Sequence, residues 1–445
     1  MTDRRKEERP ASVSEGTKQV GEIRDRWPWV EPDVWTERML TALEEGVKGG
    51  KWFSLIDKVY SEKVLRLAFT KVKANEGAAG ADHQTIQMFE KCLEGNLTRL
   101  SKALEKGAYR PQPVRRVWIS KPGKREKRPL GIPTVRDRVV QTGMRMVLEP
   151  IFERDFAEQS YGFRPNRGCK EALRRVDDLL KQGYKWVVDA DIKSYFDTIS
   201  HDKLIGLIST KISDGRTILL IEQYLNQEVM GTAEQWTPEE GTPQGAVISP
   251  LLSNIYLDPL DHYMADKGIE MVRYADDFVI LCRSKREAQK ALELVTRWIL
   301  EAELELHSEK TQIVDNTQVG GFDFLGYHFE RGYRRPSRKS ANKFRETIRS
   351  KTKRTNGHSM ERIIWDVNRS TKGWFEYFKH SRKRTFSYFD GWIRMRLRSI
   401  LRKRQRRTGV GRGFDHLRWP NAYFAEFGLF SMATAHAEVC QSSRR

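Results

Sequence analysis

Apolar and polar residues alternate from Trp186 to Ile192, a period of two that predicts a strand with Val187, Asp189 and Asp191 on one face and Trp186, Val188, Ala190 and Ile192 on the other. The apolar runs Met271-Val272 and Phe278-Val279-Ile280-Leu281 predict two more strands, joined by a tight turn at residues 274–277. Val117-Trp118-Ile119, the turn-prone Pro122-Gly123 and Arg128-Pro129-Leu130-Gly131-Ile132-Pro133 predict a hairpin with a cationic tip. Phe322 to Phe329 is aromatic at alternating positions and reads as β again. Between these stretches the spacing is helical. Val140, Met144, Val147, Leu148 and Ile151 mark a helix over 139–152, and further helices are expected over 35–47, from Ser61 to a stop at Asn75-Glu76-Gly77, and over 171–180. The Gly/Pro/Asn-rich run Tyr161 to Gly168 is a loop. Beyond Arg335, Ile393, Leu397, Ile400 and Leu401 recur at i, i+4, i+7 and i+8 among basic residues, an amphipathic helical pattern. The pattern as a whole predicts an α+β body followed by an all-α region.

With 445 residues, 38% of them hydrophobic and 31% charged, the chain is long enough for more than one domain. No apolar run approaches the roughly 20 residues of a membrane-spanning helix, and the N-terminus has no hydrophobic signal core, so neither membrane nor secretion is expected. Residues 1 to about 26 are polar and read as a tail. Cys92, Cys169, Cys282 and Cys440 are scattered without a Cys-x-x-Cys pair, which argues against a disulfide framework or zinc knuckle and for a cytoplasmic location.

The net charge of +20 changes the picture more through its location than its size. Residues 331–412 hold 27 lysines and arginines against five acids, hence +22, so the remainder of the chain is close to neutral. Trp365, Trp374, Tyr377, Tyr388 and Trp392 are interleaved with that excess, a composition suited to nucleic acid.

Tyr274-Ala275-Asp276-Asp277 occupies the predicted hairpin tip. Two adjacent carboxylates there offer hard oxygen ligands to a divalent cation, although Asp-Asp is also an ordinary turn dipeptide. The strand at 186–192 adds a third carboxylate; periodicity alone leaves Asp189 and Asp191 equally eligible.

The order Asp191-x-x-x-x-Phe196, Thr242-Pro243-Gln244-Gly245 with Ser249-Pro250-Leu251-Leu252-Ser253-Asn254, Tyr274-Ala275-Asp276-Asp277, Lys310 and Phe324-Leu325-Gly326-Tyr327 resembles the motif series of reverse transcriptases. Arg128 to Pro133, Tyr161-Gly162-Phe163-Arg164-Pro165 and the basic, Trp/Tyr-rich helices at 362–407 narrow the resemblance to bacterial group II intron-encoded reverse transcriptases and maturases, over residues 55–412. The resemblance implies a right-hand polymerase of α+β fold with an all-α thumb. Its expected domains are a tail and short helix at 1–54, an N-terminal extension at 55–110, fingers and palm at 111–330, a thumb and maturase domain at 331–412 and a C-terminal tail at 413–445.

It also implies an RNA-directed DNA polymerase that uses two Mg²⁺ ions held by Asp191, Asp276 and Asp277, the Phe196 spacing selecting Asp191 over Asp189. Phe196 would favour deoxynucleotides at the sugar, Gln244 would lie by nucleotide and template, Lys121 and Arg128 would clamp the triphosphate, and Lys310 would protonate the departing pyrophosphate. The implied partners are intron RNA as ribozyme and template, a DNA target and primer, and deoxynucleoside triphosphates; the implied outcome is assisted splicing and mobility by retrohoming. About 33 residues follow Arg412 without paired cysteines, so no second-strand endonuclease is expected and the primer would come from elsewhere. Two other functions share this palm: a reverse transcriptase of a defence, CRISPR-associated or diversity-generating system, and a non-catalytic RNA-binding splicing factor. The flanking DNA distinguishes the first and primer extension the second. An RNA-directed RNA polymerase is disfavoured by Phe196.

Overall fold

The computed structural model describes residues 23–442 except 48, 121–126, 231–234, 237–239 and 243–244. The period-two segments form three small sheets. β1 (Val114–Ser120) and β2 (Lys127–Ile132) make the expected hairpin, extended beside β1 by β4 (Val229–Met230) and β5 (Gln235–Trp236). β3 (Trp186–Asp191) runs antiparallel to β7 (Asp277–Cys282) on one side and β8 (Gln312–Asp315) on the other, with β6 (Glu270–Tyr274) outside β7. β9 (Phe322–Phe324), β10 (Tyr327–Glu330) and β11 (Tyr333–Pro336) form the third sheet.

β3 shows why its alternation matters. Val188, Ala190 and Ile192 enter the main core beneath the helices Val135–Glu153, Ser249–Asp266 and Lys285–Glu301. Val187, on the other face, joins a second core with Ala172 and Val176 of the helix Cys169–Lys181 and with Phe322, Phe324 and Phe329. Asp189 and Asp191 continue the Val187 face to the end of the strand, where apolar cover runs out.

The basic region folds around a core of its own. The helices Arg338–Lys351, Met360–Phe378 and Lys383–Arg404 bury Phe344, Ile348, Ile363, Phe375, Phe386 and Phe389, and the predicted stripe Ile393, Leu397, Ile400 and Leu401 is buried with them. No described helix is long and apolar enough to cross a membrane, and all four cysteines are free.

Of the two expected tails, the one after Arg412 needs correction. From Trp27 onward the N-terminal segment is anchored: Trp35 is fully buried and its indole donates to the Met146 carbonyl at 3.1 Å. Residues 1–22 lie outside the described residues. The segment after Arg412 is not a tail, because Trp419, Phe424 and Met432 complete the thumb core. The buried Asp390 carboxylate accepts from the N–H groups of Met432 and Ala433 at 3.2 and 3.0 Å, holding the start of the helix Met432–Ser442, while Arg398 donates to the Trp419 carbonyl at 2.8 Å. These partners lie 21 to 43 positions apart, beyond the reach of local pattern.

One carboxylate joins the N-terminal extension to the body. Asp214 accepts from Leu55 N and Ile56 N at 2.7 and 2.8 Å and from Arg216 N and Thr217 N at 3.1 Å, so it caps two helices at once. Burial opposes its charge, but the converging N–H donors win and its pKa lies below the usual carboxylate value. Asp214→Ala is expected to lower the unfolding free energy by roughly 2–4 kcal/mol in a urea titration at neutral pH, the sum of a lost cap and stranded N–H groups. Because the folded-state pKa is depressed, this stability is fully present above the unfolded-state pKa of about 4. It is lost as pH falls through the folded-state value, so the gap between wild type and variant narrows in acid.

Candidate active site

The antiparallel register sets Asp191 opposite Asp277 and Asp189 opposite Val279. Tyr274 pairs with Asp277, leaving Ala275-Asp276 as a two-residue turn. Ala275 has φ 60°, at the first central position, where glycine is usual. The cost of that conformation is of order 1–3 kcal/mol and requires support from the surroundings. Gly162 supplies a floor: a Cβ there would stand 2.3 Å from Ala275 N and 2.9 Å from the Tyr274 carbonyl carbon, so only glycine admits this approach.

Arg273 supplies the anchor. Fully buried, it donates from Nε to Asp261 Oδ1 and Oδ2 at 2.8 and 3.0 Å, from Nη2 to Asp261 Oδ2, and from Nη1 to Asn254 Oδ1 at 3.0 Å and the Ala275 carbonyl at 2.9 Å. Asn254 passes the constraint on by donating to the Gly162 carbonyl at 2.8 Å. Burial works against the Arg273 charge, and Asp261 more than offsets it. The turn bearing Asp276 and Asp277 is therefore held at its carbonyl, at its base and along one face.

The carboxylates repel one another in partial dryness. Burial, then the charges of Asp189, Asp276 and Asp191, push the Asp277 carboxyl up to about 7, against an opposing N–H from Leu325. Burial and the Asp191 charge raise Asp276 as well. Asp189, shielded from solvent and beside Asp323 and Asp191, is pushed up to about 6 although Gln312 donates to it at 3.3 Å. Asp191 is ion-paired with the Lys310 ammonium, and the backbone N–H of His307 donates to the Asp191 carbonyl at 2.8 Å. Among the described residues, no three such side chains are already closed into a metal-holding group. The donor set nevertheless fits divalent cations: its oxygens are hard, its side chains hang from adjacent strands, and its excess negative charge is what a cation relieves.

Asp191, Asp276, Asp277 and Lys310 are thus brought together at one end of the sheet. Phe196 follows β3 in the short turn Tyr195–Asp197, half-buried and edge-on to Tyr195 with ring centroids 5.5 Å apart. Tyr195 is fixed by a hydrogen bond to the Ser253 carbonyl at 2.7 Å, and Thr242 N donates to the Phe196 carbonyl at 2.6 Å. The backbone of Arg128 lies in β2, paired with Ile119. Lys121 and Gln244 lie outside the described residues. Gly245, beside Gln244, has φ 108° and sits where a Cβ would come within 2.5 Å of the Gly131 carbonyl, so the loop presses against β2.

Reading by motif missed the supports. Arg273 and Asp261 carry no motif, and a charged residue in the apolar strand Met271-Val272-Arg273 was the available signal. Asn254 and Gly162 stood inside quoted motifs without a stated job.

Residues 119–329 match the family described as reverse transcriptase (RNA-dependent DNA polymerase), and residues 341–419 match the group II intron maturase-specific domain. The chain is 33% identical over 327 residues to protein YkfC of Escherichia coli, covering 65% of this chain and 84% of that protein. It is 31% identical over 331 residues to the group II intron-encoded protein LtrA of Lactococcus lactis, covering 59% of this chain but 54% of LtrA, about half its length. A 91 kDa protein in the cob intron of Schizosaccharomyces pombe is 37% identical over 215 residues, 47% of this chain and 25% of that one.

Asp261→Asn is expected to cost about 3–5 kcal/mol of unfolding free energy, since it leaves the Arg273 guanidinium buried without a counter-charge. Chemical denaturation checks this; a loss below about 1 kcal/mol would mean that the pair is not what holds the turn.

Proposed function

The chain belongs to the reverse transcriptases that carry a group II intron maturase-specific domain, and from that premise we propose that it copies intron RNA into DNA and assists the splicing of the same RNA. The observation that carries the polymerase half is the register of β3 and β7, which sets Asp191 against Asp277 with Asp276 beside them at the open end of the sheet. Asp191, Asp276 and Asp277 would hold two Mg²⁺ ions. When bound, these supply activation of the primer 3′-hydroxyl and neutralisation of the charge on the transferred phosphoryl group.

The protein's own groups do the remaining work. Lys310, ion-paired with Asp191, would give a proton to the departing pyrophosphate. Phe196, stiffened by Tyr195 and the Thr242 backbone, fills the space against which a 2′-hydroxyl would press. Lys121 and Arg128 at the end of the β1–β2 hairpin would clamp the triphosphate as fixed cations, and Gln244 would face the nucleotide from the loop pressed on β2. DNA serves as primer and target, and deoxynucleoside triphosphates as substrates.

For the maturase half, the thumb's exposed aromatic rings mark where bases stack. Trp365 is 49% exposed and lies beneath two guanidinium groups, Arg362 at 4.5 Å and Arg369 at 5.0 Å from the ring centre. Tyr388, 54% exposed, has Arg345 at 5.7 Å. Phe344, Phe375, Phe386 and Phe389 are core residues with no face to offer. RNA bound here meets stacking surfaces and phosphate-binding cations together.

Primer extension on an RNA template tests the first half. Wild type should yield Mg²⁺-dependent cDNA, while Asp276→Asn and Asp277→Asn should each lose at least about a hundredfold in rate, the several kcal/mol that a metal site supplies. Affinity for intron RNA should be unchanged in both; absence of cDNA from wild type would sink the polymerase reading. For the second half, Trp365→Ala should weaken RNA binding by about 1–3 kcal/mol with the salt dependence unaltered. Arg369→Ala should instead flatten the log–log salt slope by about one phosphate contact.

A further inference from the structure

The helix Met360–Phe378 lies within the maturase-matched residues, yet Tyr377 near its end makes directed contacts with the polymerase-matched part. Its hydroxyl donates to the Leu325 carbonyl at 2.7 Å, and its own carbonyl accepts from Tyr327 Oη at 2.6 Å. The thiol of Cys169, first residue of the helix Cys169–Lys181, faces the hydroxyls of both Tyr377 and Tyr274. Leu325, held at φ 47°, turns its N–H toward the Asp277 carboxylate while its carbonyl faces Tyr377.

The Tyr377 hydroxyl has one hydrogen to give, and the Leu325 carbonyl takes it. Tyr274, the register partner of Asp277, packs with Leu325 and Tyr377 against the same apolar core. A thumb residue therefore holds one side of the turn whose other side faces the Asp277 carboxylate.

Packing does not need this hydroxyl. The Tyr377 ring is half-buried against Tyr327 and Phe378, with centroids 5.8 and 4.8 Å away, and a phenylalanine ring would fill the same space. What the oxygen adds is direction.

We propose that Tyr377 is a positioning residue for the polymerase centre: by holding the Leu325 turn it fixes where the Asp277 carboxylate stands. The helix that presents Trp365 to RNA is then the same rigid body that aims a carboxylate at the metal site. RNA grip and the geometry of synthesis become one mechanical unit. This rests on the polymerase reading of the three aspartates.

Tyr377→Phe tests it in the full-length protein. In single-nucleotide incorporation, Tyr377→Phe should lower kcat about tenfold and raise the Mg²⁺ concentration for half-maximal rate, with KM for the deoxynucleotide and intron RNA affinity within about twofold of wild type. Mn²⁺ binding to the free protein, followed by electron paramagnetic resonance, should weaken by about tenfold, and the melting temperature should move by less than about 2 °C. Wild-type metal dependence in Tyr377→Phe, or a loss of kcat that merely follows a fall in melting temperature, would overturn the proposal. If wild type itself makes no cDNA, the polymerase reading fails, and unchanged Mn²⁺ binding in Tyr377→Phe would separately refute the positioning role.

Discussion

Arg273 and Asp261 form an ion pair from which solvent is wholly excluded, and the position of the aspartate hairpin follows from it. Taking both charges out of water is costly, and the cost is recovered only because the guanidinium finds carboxylate, amide and carbonyl partners in fixed directions. Those directions are what the site uses. The Ala275 carbonyl is fixed by Nη1, Asn254 is shared with Gly162, and the left-handed conformation of Ala275 is tolerated because its neighbours on every side are already placed. A hydrophobic pair of similar volume would fill the space but would not aim the turn. Aim matters here because the side chains that follow, Asp276 and Asp277, gain their chemistry from standing beside Asp191.

Much of this was legible in the sequence, and the reason is periodicity. The alternation at 186–192 assigned faces that the two cores reproduce, the hairpin at 271–281 fell where the apolar runs ended, and the carboxylates at their tips were visible as polar residues in apolar company. Illegible were contacts whose partners are distant along the chain. Asp390 capping a helix 42 positions later turned an expected tail into part of the thumb core, and Cys169 meets Tyr274 and Tyr377 only because three elements converge on it. Charge was informative in bulk and silent in detail. Asp189 and Asp191 share a face of one strand, and only the register with Asp277 and the approach of Lys310 distinguish them.

The strongly basic thumb shows how far a charge count can mislead about a binding surface. Arg398 is 1% exposed and serves the Trp419 carbonyl and Asn421; Arg396 is engaged with Thr352, and Arg402 with Asp415. These cations cross-link the helices and have little left for phosphate. The interface is better located by where an arginine meets an exposed ring, since stacking and charge are then available at the same place. Trp365 and Tyr388 satisfy that condition and most of the arginine-rich helix Lys383–Arg404 does not.

The contact between Gly162 and Ala275 has a bearing on how this protein could change. Two backbones 113 positions apart press together so closely that a side chain at 162 would strike main-chain atoms, which are the same whatever residue stands at 275. In a mutational library, no second substitution at 275 would rescue a loss at 162. A lineage that altered this contact would have to move the backbone of the hairpin itself, and with it the carboxylates that the hairpin carries.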